Sequence, residues 1–353
     1  MDAIHLCVWY YKRAFENLQT GYIFYQSWIK IMMNESQEID ILIIGCGGVG
    51  GIIASRLNLS TKTRVSIVCG SNYKVIHDNG LFLKTESWGT YQCIPYKVFA
   101  NTTDAGSSNL KFDHVIVTTK AIPSIDLPSL LTPVVSSNSM IHLIQNGIGI
   151  EDGVANSFPN NPVTSTVAMF AVSQYEPGKF KQTKIKTLII GLFKKSDVHV
   201  AKLNEFIQLA SENGLDLIGP EQNIQIRRWH KLLWNGTFNP ISIIEGCKTT
   251  DLLLSDPRIR ETIRSTMEEI KWTAEQILKV PFPNTLMSID KYLEVTEDLK
   301  DYKPSMLIDW ENGREMELDV LLVNPIRIAK QHGYEMPKLQ SISDKLMELI
   351  ASK

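Results

Sequence analysis

The chain reads as an α/β domain followed by an all-helical one, and three observations carry that reading. A continuous apolar run, IDILIIG (39–45), ends in glycines, as a strand buried on both faces of a parallel sheet does. Further β-branched runs alternate with helical spacing as far as GLDLIGP (214–220). Beyond Pro220 the apolar period is helical almost throughout, so strands and helices segregate along the chain. At 353 residues the length suits two ordinary cores. We place them at 39–219 and 220–353, with residues 1–38 as an N-terminal extension.

Each element follows from its pattern. After the first strand, VGGIIASRLNLS has helical spacing, and TRVSIVC (63–69) reads as the second strand. HVIVTT (114–119) and MIHLI (140–144) are further strands ending in polar residues. The Pro- and Ser-rich stretch between them predicts a short helix with loops. PVTSTVAMFAVSQ and KTLIIGLF are expected as edge strands of a mixed sheet, and KFKQTKIK (179–186) as part of a hairpin with a solvated face. Residues 197–213 predict an amphipathic helix, and 214–220 a last strand or a linker. Helices are then expected at 222–245, 256–279, 285–293, 304–312, 317–331 and 338–351. The extension holds Trp9, Tyr10, Tyr11, Tyr22, Phe24, Tyr25 and Trp28 before a polar NESQE stretch. It lacks the apolar core of a secretory signal and the Arg- and Ser-rich composition of a transit peptide.

Composition narrows the function classes. Lys and Arg number 36 against 38 Asp and Glu, a net charge of −2, and they are dispersed. That balance gives no electrostatic reason to expect nucleic acid or a membrane surface as partner. No apolar run reaches the ~18 residues of a membrane span. The five cysteines, Cys7, Cys46, Cys69, Cys93 and Cys247, are odd in number and form no C-x-x-C pair. With His equally scattered, no metal is expected, and a reducing, cytoplasmic setting fits.

Chemistry enters at Gly45, Cys46, Gly47, Gly48, Val49 and Gly50, a G-x-G-x-x-G that leaves a strand and opens a helix. Glycines permit the tight turn and a close backbone approach to a pyrophosphate, and the helix N-terminus offers unpaired N–H groups. The reading is a Rossmann-like dinucleotide-binding domain; the bland alternative is a tight βα turn. At the end of the second strand, an acid would bind the ribose 2′-OH of NAD. Here stands Val68-Cys-Gly-Ser-Asn-Tyr-Lys74, in which Ser71, Asn72 and Lys74 suit a 2′-phosphate, favouring NADP (NADPH). Ser71 and Asn72 would also serve simply as helix caps. Lys120 of Thr118-Thr119-Lys120, and Asn146 of Gln145-Asn146-Gly147, each follow a strand at its carboxyl end, where ligands of open sheets lie. A solvated lysine and ordinary Asn-Gly turn chemistry are the alternatives.

The helical half opens with WHKLLWNGTFNP, in which Lys231, Asn235 and Asn239 fall within an arc of about 80° on a helix. One ammonium and two neutral amides on one face suit a substrate rich in oxygen. The alternative is a solvated face flanked by core Trp229, Leu232, Leu233 and Trp234. Pro240 should disfavour α geometry at Asn239 and free backbone groups there.

GCGGVG (45–50), TTKA (118–121), QNG (145–147), W-x-KLLWN-x-x-x-NP (229–240) and PSMLIDWENGREMELD (304–319) run in this order over residues 39 to ~335. In these motifs the chain resembles the ketopantoate reductase (2-dehydropantoate 2-reductase) family. The resemblance implies reduction of 2-dehydropantoate to (R)-pantoate with NADPH, toward pantothenate and coenzyme A. It implies Lys231 as general acid, Asn235 and Asn239 on the substrate's oxygens, and Ser305 on its carboxylate. Glu317 would bind the substrate hydroxyl or hold the lysine, and Lys120 and Asn146 would line the nicotinamide and the cleft. A buried ammonium loses proton affinity, and a carboxylate such as Glu317 restores it. Asp309, one turn beyond Ser305, either joins the site or stabilises the domain. The chain departs from the family at Gly70, where NADPH-preferring members commonly carry an arginine. The expected partner is a small 2-oxo acid, with the protein a monomer or homodimer. The alternatives are a reductase of another 2-oxo acid, and a non-catalytic NADP-binding sensor.

Overall fold

The computed structural model describes residues 38–352, so the expectations for the extension lie outside the described residues apart from Glu38. The sheet-bearing half contains, in order, β1 (Ile39–Ile44), α1 (Gly48–Leu57), β2 (Thr63–Val68), α2 (Tyr73–Asn79), β3 (Leu81–Thr85), β4 (Gly89–Cys93), β5 (Lys97–Phe99), α3 (Thr102–Gly106), β6 (His114–Val117), α4 (Leu127–Leu131) and β7 (Met140–Leu143). It continues through α5 (Asp152–Ser157), β8 (Val163–Glu176), β9 (Lys179–Leu192), α6 (Asp197–Glu212) and β10 (Asp216–Ile218). The helical half follows as α7 (Ile224–Asn235), α8 (Phe238–Ile244), α9 (Thr250–Ser255), α10 (Pro257–Leu278), α11 (Ile289–Glu297) and α12 (Ser305–Glu311). A π-helical turn (Asp319–Val323), α13 (Asn324–Gln331) and α14 (Pro337–Ala351) complete it. A sheet domain with an all-helical partner is the fold class read from the sequence.

One sheet runs β4-β3-β9-β8-β7-β6-β1-β2-β5, with β10 also pairing β9. The central strands are parallel, and β1 takes β2 on one side and β6 on the other. Because β1, β6 and β7 point the same way, the loops after them emerge at one edge of the sheet. That edge carries the glycine turn, Thr118–Lys120 and Gln145–Gly147.

Two expectations need correction here. β8 and β9 are interior strands, because β3 and β10 both pair along the far side of β9. The β3–β4 hairpin was invisible to hydrophobic patterning, since its strands are short and several of its residues are polar or exposed. The helix expected over 222–245 is two helices, broken at Gly236 and Thr237. A continuous helix would need an N–H from residue 240 to bond the Gly236 carbonyl, and Pro240 has none. The Thr237 hydroxyl instead donates to the Leu233 carbonyl at 2.6 Å, occupying an acceptor beside the break.

The core is continuous between the halves. Leu42, Val115 and Leu143 from the sheet belong to the same buried cluster as Trp229, Leu232 and Phe238 from the helices. A second cluster packs the opposite sheet face under α1 and α6. The helix bearing Lys231 is therefore fixed against the sheet by ordinary apolar burial.

Candidate active site

The glycine turn combines crowded positions with one open one. Gly45 adopts φ +96°, and a Cβ there would lie 2.8 Å from the Thr119 nitrogen. At Gly50 a Cβ would meet the Gly45 carbonyl oxygen at 2.2 Å. Gly47 differs, since none of the described residues lies within 4 Å of its missing Cβ. It also caps α1 without any side-chain hydrogen bond, leaving the helix N-terminus to an outside acceptor. Gly48 packs against Val172, Val49 packs into the apolar cluster under the turn, and burial pushes the Cys46 thiol up, keeping it a neutral packing group. This arrangement fits a dinucleotide.

At the end of β2, Ser71 and Lys74 are exposed beside an exposed Gly70. Asn72 is not available as expected. It is buried, donates to the Cys46 carbonyl oxygen at 3.0 Å, and exchanges side-chain hydrogen bonds with Gln174. Its amide is consumed in bracing the turn from below, so although Asn72 stands at the N-cap of α2 its side chain makes no capping hydrogen bond.

Lys231 reaches across from α7. Its ammonium donates to Asn146 Oδ1 at 2.8 Å and to the Ala168 carbonyl oxygen at 2.6 Å. Asn146 Nδ2 in turn donates to Glu317 Oε2 at 3.1 Å, and Glu317 Oε1 accepts from the Ala121 amide. The carboxylate thus reaches the lysine through an asparagine, a link the sequence did not show. Burial pushes Lys231 down to about 8, opposed by the charge of Glu317 and reinforced by that of Arg228. Gly147, at φ +88°, lets this turn touch the π-helical turn, where a Cβ would sit 2.4 Å from Val320 Cβ.

The remaining expected residues divide. Asn235 is buried and lines a small cavity of about 10 Å³ with Lys231, Asn146 and Leu321. Asn239 does not share a helix with them, and Asn239 is helical despite Pro240, which sits in the first turn of α8 where a missing N–H costs little. It is fully buried, and both of its amide atoms lack partners among the described residues. Ser305 is exposed at the first position of α12. Lys120 forms an ion pair with Asp309 at 2.6 Å, and Asp309 also accepts from Arg314. Asp309 thereby ties the loop after β6 to the helical half, a contact strengthened by Ser124 bonding Glu315. Sequence reasoning missed Arg228 and Glu151, a buried pair at 2.7 Å beneath the Gln145–Gly147 turn. The available signal was weak, a cation directly before core Trp229 in a segment that also carries Gln225, Arg227 and His230.

A glycine turn at the carboxyl ends of parallel strands, together with a half-buried lysine delivered by the helical half, makes a two-part scaffold. Residues 41–195 match the sequence model of the family "Ketopantoate reductase PanE/ApbA", and residues 223–349 match that of its C-terminal region. The chain belongs to the ketopantoate reductase family, a family of oxidoreductases. It is 30% identical to an uncharacterized protein of Saccharomyces cerevisiae, over 89% of this chain and 94% of that one. It is 24% identical to the 2-dehydropantoate 2-reductase of a Nostoc species, over 86% and 93%. Among solved structures, the 2-dehydropantoate 2-reductase from Methylococcus capsulatus superposes with a TM-score of 0.77 at 30% identity, covering 89% and 98%. A D-mandelate dehydrogenase, solved with NADH and anilino(oxo)acetate, shares the fold with a TM-score of 0.73 at 20% identity, covering 88% and 97%.

Proposed function

We propose that this protein reduces 2-dehydropantoate to pantoate with NADPH, and that Lys231 supplies the proton. The observation that carries the reading is the buried ammonium of Lys231, held to Asn146 and thereby to Glu317. A nicotinamide dinucleotide bound at residues 45–50 would supply the hydride. Gly47 and the open end of α1 would take its pyrophosphate, and Ser71 and Lys74 a 2′-phosphate. Gly70 removes the strongest 2′-phosphate partner, so discrimination against NADH rests on those two side chains.

Charge developing on a ketone oxygen calls for a positioned proton, and such an acid contributes ~10²–10⁴-fold. Two of the three Lys231 N–H groups are committed, which leaves the third for an incoming oxygen. Glu317 keeps the ammonium charged without contacting it. Asn235 borders Lys231, and Asn239 holds an unpaired donor and acceptor that a hydroxyl and a carbonyl would satisfy. Ser305 is proposed to meet the substrate carboxylate from α12. The cavity beside Lys231, at about 10 Å³, holds roughly one water, so substrate binding is proposed to widen it.

A second reading, reduction of a different 2-oxo acid, is favoured by the shared fold of the mandelate dehydrogenase. The test is oxidation of NADPH and of NADH by purified protein with 2-dehydropantoate and a panel of 2-oxo acids, compared by kcat/KM. A higher value for 2-dehydropantoate with NADPH supports the proposal. Preference for an aryl 2-oxo acid selects the second reading, and binding without turnover selects a sensor.

A further inference from the structure

Arg228 stands one turn before Lys231 on α7 and is almost wholly buried. Its guanidinium spreads over acceptors from three segments. Nε donates to the Ser165 hydroxyl on β8 and stands in an ion pair 2.7 Å from Glu151 Oε1, and Nη1 donates to the carbonyl oxygens of Gln145 at 3.0 Å and Gly147 at 2.7 Å. Those two carbonyls flank Asn146, the residue that joins Lys231 to Glu317. Glu151 is equally buried and also accepts from Ser165 and Gln225, so the pair is embedded in a network. Arg228 and Gln145 both border the cavity that Lys231 lines, and each keeps one buried atom without a partner among the described residues: Nη2, a donor, and Oε1, an acceptor.

We propose that Arg228 is a positioning residue that clamps the Gln145–Gly147 turn onto α7, so that Asn146 stays between Lys231 and Glu317. Only a planar fork binds two carbonyls and a carboxylate at once; a lysine reaches one point at a time. The clamp also fixes a cation one turn from the acid, and that charge works with burial to loosen the Lys231 proton. Glu151 keeps this cation buried at tolerable cost, since an unpaired buried charge is strongly destabilising.

This inference rests on the reductase reading, so its primary readouts do not need turnover. Arg228→Lys and Arg228→Gln are made in the full chain. Backbone hydrogen exchange is followed at residues 146–148, and Lys231 is titrated by acetic anhydride labelling read by peptide mass spectrometry. Both variants should exchange at 146–148 at least about tenfold faster than the parent. In Arg228→Gln the labelling midpoint should move upward by about half a unit or more, because the repelling cation is gone. With any 2-oxo acid that the parent reduces, kcat should fall about tenfold or more while KM changes less than about threefold. Parent-like exchange in folded Arg228→Lys, or an unmoved midpoint in folded Arg228→Gln, overturns the proposal. A parent that reduces no 2-oxo acid defeats the reductase reading and leaves exchange and labelling to judge the clamp. If Arg228→Gln does not fold, exchange in Arg228→Lys decides alone.

Discussion

Raising the pH should switch off reduction about two and a half units earlier than an ordinary lysine would, while making the protein more stable. Burial holds Lys231 near 8 against an ordinary value of 10.5. With a value near 8, roughly 90% of the lysine is protonated at pH 7 and about 3% at pH 9.5, so kcat should fall about 30-fold across that interval. An unshifted lysine would lose only about a tenth of its activity over the same span. The assay is single-turnover oxidation of NADPH by a 2-oxo acid between pH 6 and 10, as chemistry must be separated from product release. Stability responds in the opposite sense. Between about 8 and 10.5 the unfolded chain holds the Lys231 proton and the folded protein does not. The unfolded state therefore binds more protons, and unfolding free energy rises with pH through that window, by at most about 3 kcal/mol. Lys231→Met should remove this rise and, at neutral pH, lower kcat by about 10² or more. A parent profile that stays flat to pH 10, or an alkaline limb that persists in Lys231→Met, would refute the reasoning.

Other outcomes follow from the same geometry. Glu317→Gln removes the charge that supports the ammonium, so the alkaline limb should move below about 8 and neutral-pH kcat should drop at least about tenfold; the pH profile reads both. Gly47→Ala should fold normally, because its methyl meets none of the described residues within 4 Å, yet weaken dinucleotide binding by about tenfold or more in calorimetric titration. Gly50→Ala should destabilise by several kcal/mol in urea melts, since its methyl lies 2.2 Å from a carbonyl oxygen. Combined Ser71→Ala and Lys74→Ala should weaken NADPH by about tenfold and leave NADH within twofold.

What the sequence disclosed depended on the range of the interaction. Strands β1, β2, β6 and β7 announce themselves through continuous apolar runs, because both faces of a parallel sheet are buried. Their polar ends then locate the site, since parallel strands deliver their carboxyl-end loops to one edge. The β3–β4 hairpin is short and partly exposed, so it sends no such signal, and with it went the placement of β8 and β9. The helix break at Gly236 was legible from Pro240, yet the regular spacing of Lys231, Asn235 and Asn239 suggested one continuous face. Asn72 shows a different limit. A polar residue beside a cofactor turn serves the ligand or the turn's own carbonyls, and only three-dimensional placement against Cys46 and Gln174 decides between them.

The Asn146 bridge bears on why the proposed acid works near neutrality. Burial alone would discharge Lys231, because low polarity disfavours an unpaired ammonium. Direct contact with Glu317 would do the reverse, holding the proton too tightly to give away and occupying the N–H that must face the substrate. An amide between them transmits part of the carboxylate's field and spends only one lysine hydrogen. The main chain on either side of that amide is held by Arg228, whose Nη1 donates to both flanking carbonyls. Replacing the bridge tests this division of labour. In Asn146→Ala the two charges lose their spacer, so the alkaline limb should either rise, if Lys231 and Glu317 collapse into contact, or fall, if they separate. In both cases kcat should drop by about tenfold or more with folding retained. A variant with parent kcat and a parent limb would mean that the asparagine is a bystander.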